Sequence, residues 1–458
     1  MKSITREEAL NLVWEANNLT RDDIPALQEE RLRELVAHAR ENSALYREKY
    51  KHLPDNPALE DLPVMTKQEL TSNMQKLVCD PEFSEEELQA YIADLDNLGI
   101  PFMGKYSVST TSGTTGEPLR MLRDPRHVAI NGSILQVRLF ESEQFKDFPG
   151  MMEKEVRFAS VLAGGGFHAA FMAFEGRRKM LEAEGLTGTM LLLEIDEPVA
   201  EMVRKLNEFQ PEVITGYPSV MHILAGEQKE ERLKISPKAI LCSAEQLTDE
   251  VREVIETELN CPVGNVFCST EGGEVAILCS HGHMHLNTDW IIVEPIDKEG
   301  NPVPAGEMSA AMLVTNLTNG VQPIIRYRVD DSVIVHEDQC SCGLPFPYVD
   351  ILGRTDDLPE FSTEKGFVRF TPIAFYNAIV DIPGISIYQF VQTGPEALTA
   401  HIKYLDGNVA DEVDRQICAA ISGVMGQNGL AHVSFDIVRA EPIRAKKGKK
   451  MRTYLKDF

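Results

Sequence analysis

The segment SVSTTSGTTGEP, residues 107–118, is where residue type and spacing point most directly at chemistry. Hydroxyl residues broken by Gly113 and Gly116 and closed by Pro118 make a poor helix and a poor strand, so a loop is expected. The two glycines permit the positive-φ conformations that turn successive N–H groups inward, and the hydroxyls of Thr111, Ser112, Thr114 and Thr115 add donors. Such a loop can wrap a polyphosphate. No GK[ST] follows, so it is not the P-loop pattern; a Ser/Thr/Gly linker is the plainer alternative. A second set of residues suits a soft or borderline cation: CSHGHMH at 279–285 and CSC at 340–342. Two thiolates one residue apart and a distant Cys/His pair supply the four ligands of a closed, structural zinc site. The spacing fits no standard finger, and simple burial of thiols competes with it.

These segments need elements to hold them. Residues 1 to about 100 read as helices, with Leu32, Leu35, Val36 and Ala39 at helical spacing and a helix entered at Thr66. From about 188 a strand MLLLEI, a helix with Pro198 in its first turn, the strand EVITGY, another helix, the strand KAILCSA, the helix TDEVREVIETELN and the strand PVGNVF alternate. Alternation of this kind means right-handed crossovers and a parallel sheet. After Glu271 the helices vanish and an antiparallel β region is expected, with turn signals at KEGNP and VPAGE. Near Gly353 the pattern shifts to about 100 residues of mixed helix and strand ending in a basic tail.

The chain has 458 residues, 43% hydrophobic and 25% charged, enough apolar material for a large core. Its 45 Lys+Arg against 71 Asp+Glu leave a formal charge of −26, which repels phosphate backbones and anionic headgroups. Nucleic acid and membrane are therefore excluded as expected partners. No apolar run reaches the roughly 18 residues of a membrane span, and the first residues carry charge where a signal peptide is apolar. A cytoplasmic protein is expected. Eight scattered cysteines do not make a disulfide framework.

The 107–118 loop resembles the [ST]SG[ST]TGxP phosphate loop of the adenylate-forming superfamily and, within it, the phenylacetate–coenzyme A ligase family. Glu117 stands where that family usually has a Lys. FCSTEGG, residues 267–273, resembles the superfamily's YGxTE. The likeness implies Phe267 near the adenine, Thr270 on the acyl phosphate, and Glu271 holding the Mg²⁺ that bridges ATP oxygens. Ser243, Ala244 and Glu245 match an adenine-edge [GS]xE segment. RYRVDD at 326–331 is similar to RYRTxD and makes Asp331 the ribose ligand. GRTDD at 353–357 matches GRxDD, which implies Arg354 on ribose or phosphate and Asp356 as a hinge. Gly448, Lys449 and Arg452 resemble the C-terminal lysine motif, with Lys449 the catalytic lysine by register and Lys447 and Lys450 as neighbours; a free basic end is the alternative. The family's cysteine before GLH and its CxCG align with Cys279, His285, Cys340 and Cys342, while His281 and His283 are spare ligands. GGGFHAAF and TGYPS resemble segments lining the acyl site, which gives Phe167, His168, Tyr217 and Pro218 as walls suited to an aryl or arylalkyl acid.

The resemblance implies an α/β protein with a large N-terminal AMP-binding domain, residues 1–355, and a small mobile α+β C-terminal domain, residues 356–458. It also implies a ligase that converts a carboxylic acid and ATP to an acyl adenylate and transfers the acyl group to coenzyme A, with Mg²⁺ and a structural Zn²⁺. A homodimer is the default assembly. Two alternatives stand beside it: adenylation with a carrier protein or amine as acceptor, and a zinc-stapled binding protein without turnover.

Overall fold

The computed structural model describes residues 1–111, 118–148, 153–162, 166–195, 197–354, 359–363, 366–369, 375, 378–379, 382–404, 410–440 and 454–457. They form two compact units, one of Met1–Val329 with Val333–Asp350 and the other of Asp330–Ser332 with Ile351–Phe458. No helix among them is long and apolar enough to cross a membrane.

The large unit starts with helices α1 (Arg6–Asn17) and α2 (Ile24–Asn42). Thr5 and Glu8 close α1 with a capping box, and α2 buries the expected stripe of Leu32, Leu35, Val36 and Ala39. Thr66 caps the helix Lys67–Ser72 in the same way, with Glu69 as its partner. Strands β1 (Ser107–Thr110) and β2 (Arg120–Arg123) make a separate antiparallel hairpin, followed by α3 (Pro125–Ile134).

A mixed sheet then forms from β3 (Phe158–Leu162), α4 (Ala169–Ala183), β4 (Met190–Glu194), α5 (Val199–Phe209), β5 (Val213–Gly216), α6 (Pro218–Lys229), β6 (Ala239–Ser243), α7 (Asp249–Leu259) and β7 (Val263–Ser269). The alternation read from residue 188 is present, with β3 as an added first strand. Strands β8 (Gly273–Leu278) and β9 (Met284–Leu286) extend it antiparallel. Strands β10 (Ile291–Ile296), β11 (Ala311–Asn316) and β12 (Ile324–Val329) form a three-stranded antiparallel sheet. With β13 (Asp331–His336) and β14 (Tyr348–Arg354) the large sheet has the order β13-β14-β9-β8-β7-β6-β5-β3-β4. This is the α/β architecture expected, a parallel core with an antiparallel flank. The parallel part runs outward from β3 to β4 and then restarts on the other side with β5. The β3/β5 junction is therefore the topological switch point, where open α/β sheets bind ligands.

One buried polar network ties α1 and α2 to this sheet. Arg138, in a π-helical turn at Leu135–Phe140, bonds both Asp289 oxygens at 2.9 and 2.8 Å, Asn287 Oδ1 at 2.8 Å and Asn17 Oδ1 at 2.8 Å. Arg31 donates to the Asp289 carbonyl and lies 3.3 Å from the centroid of the Trp290 ring. Cation–π contact and a shared carboxylate are what let these arginines be buried.

In the small unit β17 (Ile385–Gly394) and β18 (Ala397–Tyr404) pair antiparallel after the hairpin β15 (Glu360–Thr363) and β16 (Gly366–Arg369). The helix α8 (Ala410–Gln427) buries Val413, Ile417, Ile421 and Met425. Strand β19 (Ser434–Val438) adds to β18, and β20 (Tyr454–Lys456) adds parallel to β17. The basic tail therefore does not end the chain free: after it, Tyr454 is buried, stacks on Phe375 and donates to Gln392 Oε1.

Candidate functional site

The Ser/Thr/Gly segment joins β1 to β2. Thr111 closes its base, donating its N–H to the Leu119 carbonyl at 3.0 Å and accepting the Leu119 N–H on Oγ1 at 3.0 Å. Ser112, Gly113, Thr114, Thr115 and Gly116 lie outside the described residues.

FCSTEGG turns the chain from β7 into β8. Gly272 donates to Ser269 Oγ at 2.8 Å, and Gly273 has φ +77°, with a Cβ there 2.5 Å from Asn131 Oδ1. Only glycine fits that position. Phe267, on β7 and half-buried, pairs with Ala276. The Thr270 carbonyl accepts from Arg123 Nη2 at 2.9 Å and the Glu271 carbonyl from Asn316 Nδ2 at 3.0 Å. Burial pushes the Glu271 carboxyl above its ordinary range, while the Tyr327 hydroxyl and the Arg123 charge pull it back. Glu274 is raised by the same cause and faces the same guanidinium. Both residues are only partly buried.

Tyr327 belongs to RYRVDD, so two motifs distant in sequence meet at Glu271. A bulge between β11 and β12 aims it there: the register shifts between Val314 and Asn316, Arg326 takes φ +46°, and Thr315 Oγ1 accepts its N–H at 2.9 Å. Arg326 itself is held by Glu294 at 3.0 and 2.9 Å. Asp331 opens β13 and groups with the small unit. Arg354 ends β14; Asp356 and Lys449 fall outside the described residues.

Ser243 ends β6, and Ala244 sits at φ +66°, a conformation that costs an L-residue on the order of 1 kcal/mol. The strain turns Glu245 toward α6, where its Oε2 accepts the Ser219 N–H at 3.2 Å. Tyr217 and Pro218 start that helix, both buried, immediately past the carboxyl end of β5. His168 caps α4 just past β3. These residues flank the switch point, where Ser160 Oγ and Thr215 Oγ1 lie 2.8 Å apart between β3 and β5. The Phe167 ring packs 5.3 Å from Tyr91 in a core cluster with Phe102 and Met172.

The ligand atoms of Cys279, His285, Cys340 and Cys342 all lie within 4.8 Å of one another. A tetrahedron with zinc–sulfur bonds of about 2.3 Å has an edge of about 3.8 Å, and Cys279 Sγ to Cys340 Sγ is 3.8 Å. Cys342 Sγ lies 3.2 Å from His285 Nε2, whose ring donates Nδ1–H to the Phe346 carbonyl at 2.8 Å and so presents the Nε2 lone pair inward. Backbone N–H groups of His281 and Cys342 point at Cys279 Sγ and Cys340 Sγ, a pattern that favours thiolates. The hydrogen bond from Cys342 holds the Cys279 thiol well down, whereas burial pushes the Cys261 thiol up to about 12. Of the spare histidines, His281 is exposed and His283, 3.2 Å from Cys340 Sγ, stacks on Tyr348 at 4.3 Å. The donor set and its spacing fit a tetrahedral ion.

Sequence reasoning missed Arg123, Asn316 and Tyr327. Tyr327 had a signal, lying inside RYRVDD; the other two had none. It also missed His127, buried beside them, whose Nδ1 is 2.7 Å from Thr318 Oγ1. Burial, then the Arg123 charge, drives the His127 imidazole well below its ordinary range. The folded chain then binds no proton there while the unfolded chain does below pH about 6.5. Stability is accordingly present above that pH and falls as pH drops through it, by up to about 1.4 kcal/mol per pH unit from this group. Denaturant unfolding at pH 7.5 and 5.5 should show that loss, and a His127→Gln variant should reduce it.

The fold is one that adenylate-forming CoA ligases share. A 2-hydroxyisobutyryl-CoA ligase in the postadenylation state has the same fold, with TM-score 0.68 at 19% identity over 95% of this chain and 90% of that one. The anthranilate CoA ligase AuaEII gives 0.52 at 14%, over 75% and 64%. By sequence the chain is a relative of the phenylacetate–coenzyme A ligases. It is 26% identical to the Thermus thermophilus enzyme over 358 residues, 75% of this chain and 73% of that one. With the Escherichia coli enzyme the figures are 26% over 336 residues, 68% and 67%. Protein CapK of Staphylococcus aureus is 28% identical over 242 residues, so the match spans about half of that protein, 51%. No family model matches the chain.

Proposed function

We propose that the chain is an AMP-forming acid–coenzyme A ligase. The observation that carries this reading is the meeting of three separate segments at one turn: Arg123 from the phosphate hairpin, Thr270–Glu271, and Tyr327 of RYRVDD. In the first half-reaction a carboxylate oxygen attacks the α-phosphorus of ATP and pyrophosphate leaves. In the second, a thiolate sulfur attacks the acyl carbon and AMP leaves with the bonding pair, the thiol proton passing to solvent. Neither step needs a covalent protein intermediate, so the protein positions and neutralises.

Residues 111–116 orient the phosphates, with Phe267 and Ser243–Glu245 at the base, Asp331 and Arg354 at the ribose, and Thr270 at the acyl phosphate. Glu271 would hold a magnesium ion, which neutralises phosphate charge when bound; its desolvated carboxylate suits a hard cation. Lys449 contacts the carboxylate and α-phosphate during adenylation, and Asp356 is the hinge on which residues 356–458 turn between half-reactions. His168, Tyr217 and Pro218, with Phe167 behind them, bound the acid site, and their aromatic character favours an aryl or arylalkyl acid. Cys279, His285, Cys340 and Cys342 would hold a structural zinc; a fully coordinated ion leaves no open position for catalysis. The reading places the enzyme in the cytoplasm as a homodimer, and none of its eight cysteines is joined in a disulfide.

The test is acid-dependent exchange of labelled pyrophosphate into ATP across a panel of aryl and short aliphatic acids, followed by coenzyme A. Exchange with at least one acid, and a thioester formed with stoichiometric AMP, are expected. Exchange without thioester would move the acceptor to an amine or carrier protein, and absence of exchange with every acid would leave a binding protein.

A further inference from the structure

In the hairpin that carries the phosphate loop, strand β2 has one edge paired with β1. Leu122 stands opposite Val108, and in an antiparallel ladder alternate residues turn their N–H and C=O away from the partner strand. Arg120 C=O, Leu122 N–H, Leu122 C=O and Asp124 N–H all find partners on that outward edge, yet no strand among the described residues pairs there. Gln322 Oε1 accepts the Leu122 N–H at 2.8 Å and its Nε2 donates to the Arg120 carbonyl at 3.1 Å. Asn319 Nδ2 donates to the Leu122 carbonyl at 2.9 Å and its Oδ1 accepts the Asp124 N–H at 3.2 Å. Each side-chain amide presents the donor and acceptor of a peptide group, so two amides stand in for a third strand. Both are 0% exposed, a depth at which an unpaired amide is costly.

The same stretch of chain reaches the acidic turn through Asn316, which donates to the Glu271 carbonyl, and is locked in return by Asp124, whose Oδ2 accepts Gly320 and Val321 N–H at 2.7 and 3.1 Å. We infer that residues 316–322 form a gauge, and that Asn319 and Gln322 are positioning residues that set the distance between strand β2, to which the loop is joined, and Glu271. Their function is to fix where the β- and γ-phosphates sit, not to touch them. The inference rests on the ligase reading above for its ligand, but the ladder itself is independent of it.

Two measurements separate them. Amide hydrogen exchange reports the ladder without ligand: in Gln322→Met the Leu122 amide should lose protection, with amides of β5 and β6 unchanged. Nucleotide binding reports the consequence: the dissociation constant for MgATP should rise about tenfold, the value of one net hydrogen bond, while that for AMP changes less than about twofold. Gln322→Glu keeps the acceptor for Leu122 and loses the donor to Arg120, so it should fall between; Asn319→Asp provides a second site should Gln322→Met fold poorly. Parallel weakening of ATP and AMP, or Leu122 protection unchanged, would overturn the gauge. Wild-type protein that binds neither nucleotide, with Leu122 protection still lost in Gln322→Met, would overturn the ligase reading alone.

Discussion

Stripping the metal from the Cys279, His285, Cys340 and Cys342 cluster is expected to unfold the large unit under conditions where the loaded protein is stable. Purified protein should hold about one zinc per chain. Structural zinc supplies apparent binding free energies on the order of 10 kcal/mol, all of it linked to folding because the unfolded chain has no preformed site. Removing it leaves the Cys279 and Cys340 sulfurs 3.8 Å apart, each facing a backbone N–H that favours the thiolate, with no cation between them. It also frees the Phe346 segment, whose ring lies 4.1 Å from the Arg138 guanidinium. A fall in the melting midpoint on the order of 10 °C or more is expected for chelated protein and for Cys340→Ser with Cys342→Ser. Calorimetry with and without a chelator, beside metal analysis, checks it; metal-free protein of unchanged midpoint would end the zinc assignment.

The second large effect concerns Lys449. Removing one charge that stabilises a developing anion typically costs 10² to 10³ in rate, so Lys449→Ala should lower acid-dependent pyrophosphate exchange by about that factor. Thioester formation from preformed acyl adenylate should survive. The described flanks support this choice over a free basic end, because β19 precedes the tail and β20 follows it as paired strands. Retained exchange in the variant would shift the role to Lys447 or Lys450.

Much of this architecture could be read beforehand, and the exceptions have physical causes. The loop at 107–118 announced itself because hydroxyls and glycines in that density suit nothing else, and the crossovers after residue 188 showed amphipathic helices between apolar runs. Strand β3 escaped because FASVL is buried along its whole length, which erases the alternation that marks a half-exposed strand. His285 could not be chosen over its neighbours by spacing; its selection depends on a carbonyl at Phe346, 61 residues away. Asn319 and Gln322 were least legible of all. Asparagine and glutamine in a Gly/Pro-containing stretch look like solvated loop, and only tertiary structure shows a backbone edge waiting for them.

The Arg31–Asp289 link has a consequence for the birth of the chain. Its partners are 258 residues apart, so at roughly 5–20 residues per second a ribosome needs about 13 to 50 s after making α2 before the Asp289 partner of Arg31 exists. Through that interval Leu32, Leu35 and Val36 have only the early-made part of their cluster for cover, Tyr46, Tyr50, Leu62, Met65, Leu70 and Leu77, and lack Ile292, Leu317, Ile324 and Ile325; a helix with an incompletely covered apolar stripe is a substrate for chaperones. High contact order of this kind predicts slow refolding, and it makes early truncations that keep α2 but end before Asp289 prone to aggregate.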